Sequence, residues 1–328
     1  MEKTFGKLAD GREARLYTIS CGRIVSEITN YGASLVSLTV DGVDVCLGCD
    51  DVSGYERNGA YLGAVVGRNA NRMSGASFLL NGEKVQLPAN EGNNNLHSGP
   101  ESWGWRLWEV KSHTENSLTL GIFSPDGDQG FPGNAEVSVT YTVDAGGLTI
   151  AYRAVSDRDT VFNLTNHAYF NLNGGGSILE HTLQVDSEAY TAQDEHGLST
   201  GELVPVAGTV YDFREPRKIG EGIGDAAEGK LRFYDLNFCL KGEGLRKVAE
   251  LKGEFLTMET LTTTPGVQFY AAGFGKPHPA KVEGGYTGYC FACLETQGYP
   301  NSTHIKSFPS DIVKAGETYR QTTVYRFK

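Results

Sequence analysis

The chain has 328 residues and a formal net charge of −11, which argues against nucleic acid or an anionic membrane as partner. It is rich in glycine (42) and in tyrosine and phenylalanine (16 and 15) but has only 3 methionines, the composition of β-branched and aromatic strands joined by glycine turns. No apolar stretch is long enough to span a bilayer, and the N-terminal residues lack the apolar core of a signal peptide, so the expected compartment is the cytoplasm.

The hydrophobic period is two almost throughout. Val36, Leu38 and Val40 alternate with Ser37 and Thr39, and Asp41-Gly42 turns the chain into Val43-Asp44-Val45. Phe78-Leu79-Leu80, Asn81-Gly82 and Glu83 to Leu87 repeat the plan. The loops Glu91 to Trp103 and Pro125 to Gly133 are long and polar, as functional loops on a rigid sheet usually are. Val137, Val139, Tyr141 and Val143 alternate with Ser138, Thr140 and Thr142, before Asp144 to Gly147 turn the chain into Leu148 to Tyr152. Leu245 to Leu251 reads as a strand rather than a helical turn, and Thr322 to Phe327 closes the chain as another strand. The expectation is an all-β protein: residues 1–328 as one domain, a large antiparallel β-sandwich.

Two titratable residues follow apolar runs: His167 after Val161 to Asn166, and Glu295 after Cys290 to Leu294. A titratable group at the end of an apolar strand is costly without a partner or a task. His97 follows Asn93-Asn94-Asn95, and Arg68 and Arg72 lie in Gly67 to Arg72. Asp235 sits among aromatics, and Gln268 inside a strand. One at a time, these residues read as satisfied core or surface groups; together, a carboxylate and imidazoles suit proton transfer on a small polar molecule such as a sugar.

Nothing points to a cofactor. There is no nucleotide-binding glycine motif, no nucleophile elbow and no His pair at metal-ligand spacing. Cys46/Cys49 and Cys290/Cys293 each have C-x-x-C spacing, but both pairs fall in strand-like runs, where positions i and i+3 face opposite sides. Reduced cysteines acting as small hydrophobes, with no metal, are the expectation. Monomer and homodimer stay open.

The ordered motifs Gly-Arg-Asn-Ala-Asn-Arg (67–72), Asn-Asn-Leu-His (94–97), Asn-Leu-Thr-Asn-His-Ala-Tyr-Phe-Asn-Leu (163–172), Pro-Gly-Val-Gln-Phe-Tyr (265–270) and Leu-Glu-Thr-Gln (294–297) resemble the aldose 1-epimerase, or galactose mutarotase, family along essentially the whole chain. The resemblance implies a galactose mutarotase-like supersandwich with a sugar cleft on one face. It implies that Glu295 is the general base on the C1 hydroxyl, that His167 is the general acid at the ring oxygen, and that His97 polarises or orients the sugar. It further implies that Asn71, Arg72, Asp235 and Gln268 bind hydroxyls. Three departures from the family pattern stand out: Leu236 where His is common, Ala271-Ala272-Gly273 for a more polar run, and Asn301 for Asp. A glycoside hydrolase using Glu295 and Asp235 would leave both histidines without a use. A hexose-phosphate epimerase of the same fold would need a basic pocket, and a sugar-binding module would need neither Glu295 nor His167.

Overall fold

A computed structural model describes residues 1–56, 59–224 and 230–328. Every strand pair in the named sheets is antiparallel, and helical structure among the described residues is confined to short 3-10 turns. None of these helices is long and apolar enough to cross a membrane.

The alternation seen in the sequence becomes strand geometry. Ala135–Asp144 alternates buried and more exposed residues along its length and pairs in unbroken register with Gly147–Ser156. At the tight turns Asp41-Gly42 and Asn81-Gly82, φ is +50° and +86°, and +52° and +86°, the left-handed pair that Asp/Asn-Gly tolerates. The expected strands at 245–251 and 322–327 form as Arg246–Lys252 and Thr318–Phe327.

Three sheets carry the architecture. An N-terminal sheet runs in chain order from Glu2–Lys7 to Val43–Asp44. A nine-stranded sheet has Thr318–Phe327 at its centre, between Gly147–Ser156 and Thr257–Thr262. The third sheet has the order Ser199–Pro205, Ser187–Gln193, Tyr234–Leu240, Gly266–Ala271, Cys293–Gln297. One buried apolar cluster includes residues of all three, among them Ile19, Leu38, Tyr141, Phe269, Leu294 and Tyr325. Tyr325 Oη donates to the Leu294 carbonyl at 3.1 Å, tying the third sheet to the nine-stranded one.

The last three strands of the third sheet are buried almost continuously, so period two is invisible in their burial. Register supplies the division instead, because directly opposed residues share a face. Leu236, Phe269 and Leu294 form a row across the sheet and enter the apolar core. The other face carries the rows Asn237–Gln268–Glu295 and Asp235–Tyr270–Cys293. This polar face is the floor of the site. Leu236 therefore points away from it, and the departure at that position leaves the floor intact.

Candidate active site

A cleft of about 520 Å³ opens on this face. Its lining includes all seven residues singled out for the site: Asn71, Arg72, His97, His167, Asp235, Gln268 and Glu295.

His167 does not extend a long strand, as the apolar run before it implied. It follows the two-residue strand Thr165–Asn166, which pairs with Val65–Val66. Its backbone is clamped instead: His167 N donates to the Ala64 carbonyl and its own carbonyl accepts from Gly63 N, each at 2.9 Å. Gly63 has φ +61°, and a Cβ there would lie 2.0 Å from the Leu35 carbonyl oxygen, so only glycine fits. Asn166 Nδ2 donates to the Gly63 carbonyl at 2.6 Å and to Tyr141 Oη at 3.2 Å. The imidazole lies near-parallel to Tyr169 at 5.0 Å and to Tyr61 at 6.3 Å between centroids. Its Nε2 is 3.6 Å from Glu295 Oε2.

Both members of this pair are buried. Burial, reinforced by the nearby Asp235, pushes Glu295 well above the usual carboxylate range despite Arg72. Burial pulls His167 down to about 4. Each charged form has lost its water, so both shifts favour a pair that holds one proton between its members.

His97 has a different state. Its Nδ1 accepts from Asn71 N at 3.1 Å, and its own N donates to the Asn71 carbonyl at 3.0 Å. A backbone N–H can only donate, so Nδ1 carries the lone pair and the ring proton sits on Nε2. Burial, then His167 and Arg72, keep His97 well below its ordinary pKa. It is a neutral hydrogen-bond donor, its ring edge-on to His167 at 5.6 Å.

Arg72 is held by two bonds to Glu91, at 2.7 and 2.8 Å, with Asp235 3.8 Å away. Burial works against its charge, but Glu91 and Asp235 outweigh it and raise its pKa. Gln268 Nε2 donates to Asp235 Oδ1 at 2.6 Å.

Arg68, offered by the sequence beside Arg72, is no part of the cleft. It is 1% exposed, and its guanidinium donates to the carbonyls of Ser124, Pro132 and Gly133 at 3.0, 2.6 and 2.7 Å. The loop Pro125 to Gly133 therefore wraps a structural arginine rather than a ligand, whereas the loop Glu91 to Trp103 delivers His97. Arg68→Met should cost about 3–5 kcal/mol, because several buried acceptors lose a charged partner. Urea unfolding checks this; a loss under about 1 kcal/mol, the scale of an exposed ion pair, would reject the structural role.

Asn301 occupies the left-handed region at φ +63°. Its Oδ1 accepts from Ser74 N at 3.1 Å and its Nδ2 donates to the Ser199 carbonyl at 3.2 Å, a donor role that an ionised Asp could not fill. Ala271 and Ala272 are buried in apolar clusters. The Cys46/Cys49 pair lies outside regular strands, with Cys49 Sγ against the Pro279 carbonyl at 3.3 Å, and all six cysteines are free.

Sequence reasoning missed Tyr61, Tyr169, Tyr270 and Phe274 in the lining, and Glu91 behind Arg72. Tyr270 was reachable, since it stands two residues from Gln268 in one strand and so shares its face. Tyr61 and Glu91 come from loops with no periodic signal.

The fold and cleft define an acid–base enzyme built on an antiparallel β-sandwich. The family model described as aldose 1-epimerase matches residues 15–326, and the chain belongs to that family. It is similar to galactose mutarotase of Bos taurus, at 37% identity over 92% of this chain and 90% of that one. It is also similar to aldose 1-epimerase of Escherichia coli K12, at 35% identity over 97% and 96%. Among solved structures, a GalM/aldose epimerase homologue from C. elegans superposes with a TM-score of 0.89 at 28% identity, covering 95% of this chain and 98% of that one.

Proposed function

We propose that the protein interconverts the α and β anomers of free aldohexoses, galactose and glucose, through Glu295 and His167. The observation that carries this reading is the buried His167–Glu295 pair, 3.6 Å apart at the floor of a cleft with aromatic walls. Ring opening takes a proton from the C1 hydroxyl and gives one to the ring oxygen; closure reverses both transfers. The reactive form leaves Glu295 ionised as the base and places the shared proton on His167 as the acid. The ring opens, the aldehyde turns about C1–C2, and closure on the other face gives the other anomer. His97 donates from Nε2 toward the ring oxygen or the C1 hydroxyl oxygen. Asn71, Arg72, Asp235 and Gln268 bind hydroxyls, and the tyrosines offer faces to the apolar side of the ring. No step requires a cofactor. The six unpaired thiols fit a reducing, cytoplasmic setting.

A phosphorylated substrate fits less well. Among the described residues lining the cleft, Arg72 is the one Arg or Lys, and Glu91 already engages it on two nitrogens.

The test is polarimetry on freshly dissolved α-D-galactose and α-D-glucose across pH. Faster decay to the equilibrium rotation is expected, and no acceleration on either sugar would reject the reading. The pH profile follows from the shared proton. Below about pH 4, where His167 gains a proton while Glu295 keeps its own, the pair has no base. At a pH above its raised pKa Glu295 loses that proton, and the pair has no acid. The kcat/KM profile should therefore have its acid limb near pH 4; an acid limb near pH ~6.5, the ordinary His value, would contradict the buried pair.

A further inference from the structure

The floor carries a thiol that the proposed reaction does not use. Cys293 stands two residues before Glu295 on one strand, on the same face, and opposite Tyr270. A ring nitrogen of His167, Sγ of Cys293 and a carboxylate oxygen of Glu295 all lie within 4.8 Å of one another, the one such His/Cys/carboxylate group among the described residues. All three side chains are buried, and Glu295 Oε2 has no hydrogen-bond partner. Donor atoms around a tetrahedral zinc lie roughly 3.3–3.8 Å apart, given bonds of about 2.0–2.3 Å. The His167–Glu295 separation of 3.6 Å is already in that range.

We propose that His167, Cys293 and Glu295 form a capture site for a borderline-soft divalent cation, Zn²⁺ or Cd²⁺, whose binding switches off the acid–base pair. The proposal rests on the reading of that pair as catalytic.

The donor set selects the ion. One sulfur, one imidazole nitrogen and one carboxylate oxygen suit Zn²⁺ or Cd²⁺, whereas Mg²⁺ and Ca²⁺ require oxygen ligands. Three protein donors leave a fourth position toward the cleft, where water or a sugar hydroxyl completes the tetrahedron. As a free thiol Cys293 is protonated and unreactive, because burial raises its pKa far above the ordinary value. A bound cation displaces that proton. The thiol proton and the proton shared by His167 and Glu295 leave to solvent, and the metal takes the lone pairs that would have moved protons on the sugar.

The test uses the whole protein, freed of metal with EDTA and exchanged into a non-chelating buffer. Cd²⁺ is titrated while sulfur-to-cadmium charge-transfer absorbance and galactose mutarotation are followed, with Zn²⁺ repeated for activity. Wild type should lose activity competitively with galactose, recover it with EDTA, and gain one thiolate's absorbance. Cys293→Ser, measured against its own metal-free turnover, should need at least about 10–100-fold more metal for the same inhibition, the scale for weakening a metal's ligand set, and should lack that absorbance. Equal sensitivity of Cys293→Ser and wild type, or an unchanged absorbance in the variant, would overturn the proposal. The absorbance is readable even in a protein with no mutarotase activity. A band that is lost in Cys293→Ser and weakened in Glu295→Gln supports the metal site whatever becomes of the sugar chemistry.

Discussion

Glu295→Gln should lower turnover by about 10²–10⁴-fold, the usual worth of one positioned proton transfer, while the protein gains stability as pH rises above the ordinary carboxylate range. The two effects have one physical origin. The carboxyl is buried, and burial raises its pKa far above the ordinary value. A carboxyl with a raised folded pKa favours the fold fully below its unfolded pKa, and that stability drains away as pH rises toward the folded value. Gln keeps the shape and cannot ionise, so it removes the drain. It also cannot accept the C1 proton. Polarimetry and thermal unfolding at pH 5 and pH 8 separate the two effects, and the melting-temperature gain should appear at the higher pH. Near-normal turnover in the folded variant would sink the mechanism. A stability loss that grows with pH would show that Glu295 is held ionised by partners instead.

His167→Ala is the second large effect, again about 10²–10⁴-fold in kcat. Two losses could produce that number. The acid disappears, and so does the ring packed between Tyr61 and Tyr169. His167→Asn keeps more of the volume, and free imidazole can re-enter the space left by Ala. If the acid matters, Asn should be nearly as inactive as Ala, and added imidazole should restore part of the Ala variant's rate. Full activity in Asn would reduce His167 to a packing residue. Combining Glu295→Gln with His167→Ala should cost little more than either alone, because an acid without its base cannot complete either transfer. Additive losses would mean that the two residues act in separate steps.

These effects concentrate on two side chains that the fold brings together from separate segments. Glu295 is one member of the row Asn237–Gln268–Glu295, and the row beside it carries Asp235, which engages both Gln268 and Arg72. His167 and His97 arrive from loops outside this sheet, each clamped through its backbone. The floor is rigid because its other face is core, with Leu236, Phe269 and Leu294 packed against the interior.

The sequence by itself determined the fold class and the residue types of the site. Alternation with period two and Asp-Gly and Asn-Gly turns are local properties, because successive side chains of a strand point to opposite faces whatever it pairs with. Five motifs in order were enough to place the chain in its family. Tertiary structure alone decided which polar residues meet. Arg68 and Arg72 share one short segment and one charge, yet one binds three carbonyls in the interior and the other faces the cleft. The strands beneath the site are buried on both faces, so no period in their burial marks which residues look into the cleft. The bridge from Asp235 to Gln268 and the 3.6 Å approach of His167 to Glu295 depend on pairings between distant segments. Those pairings are settled when the sheets pack together, a long-range event that no local pattern records.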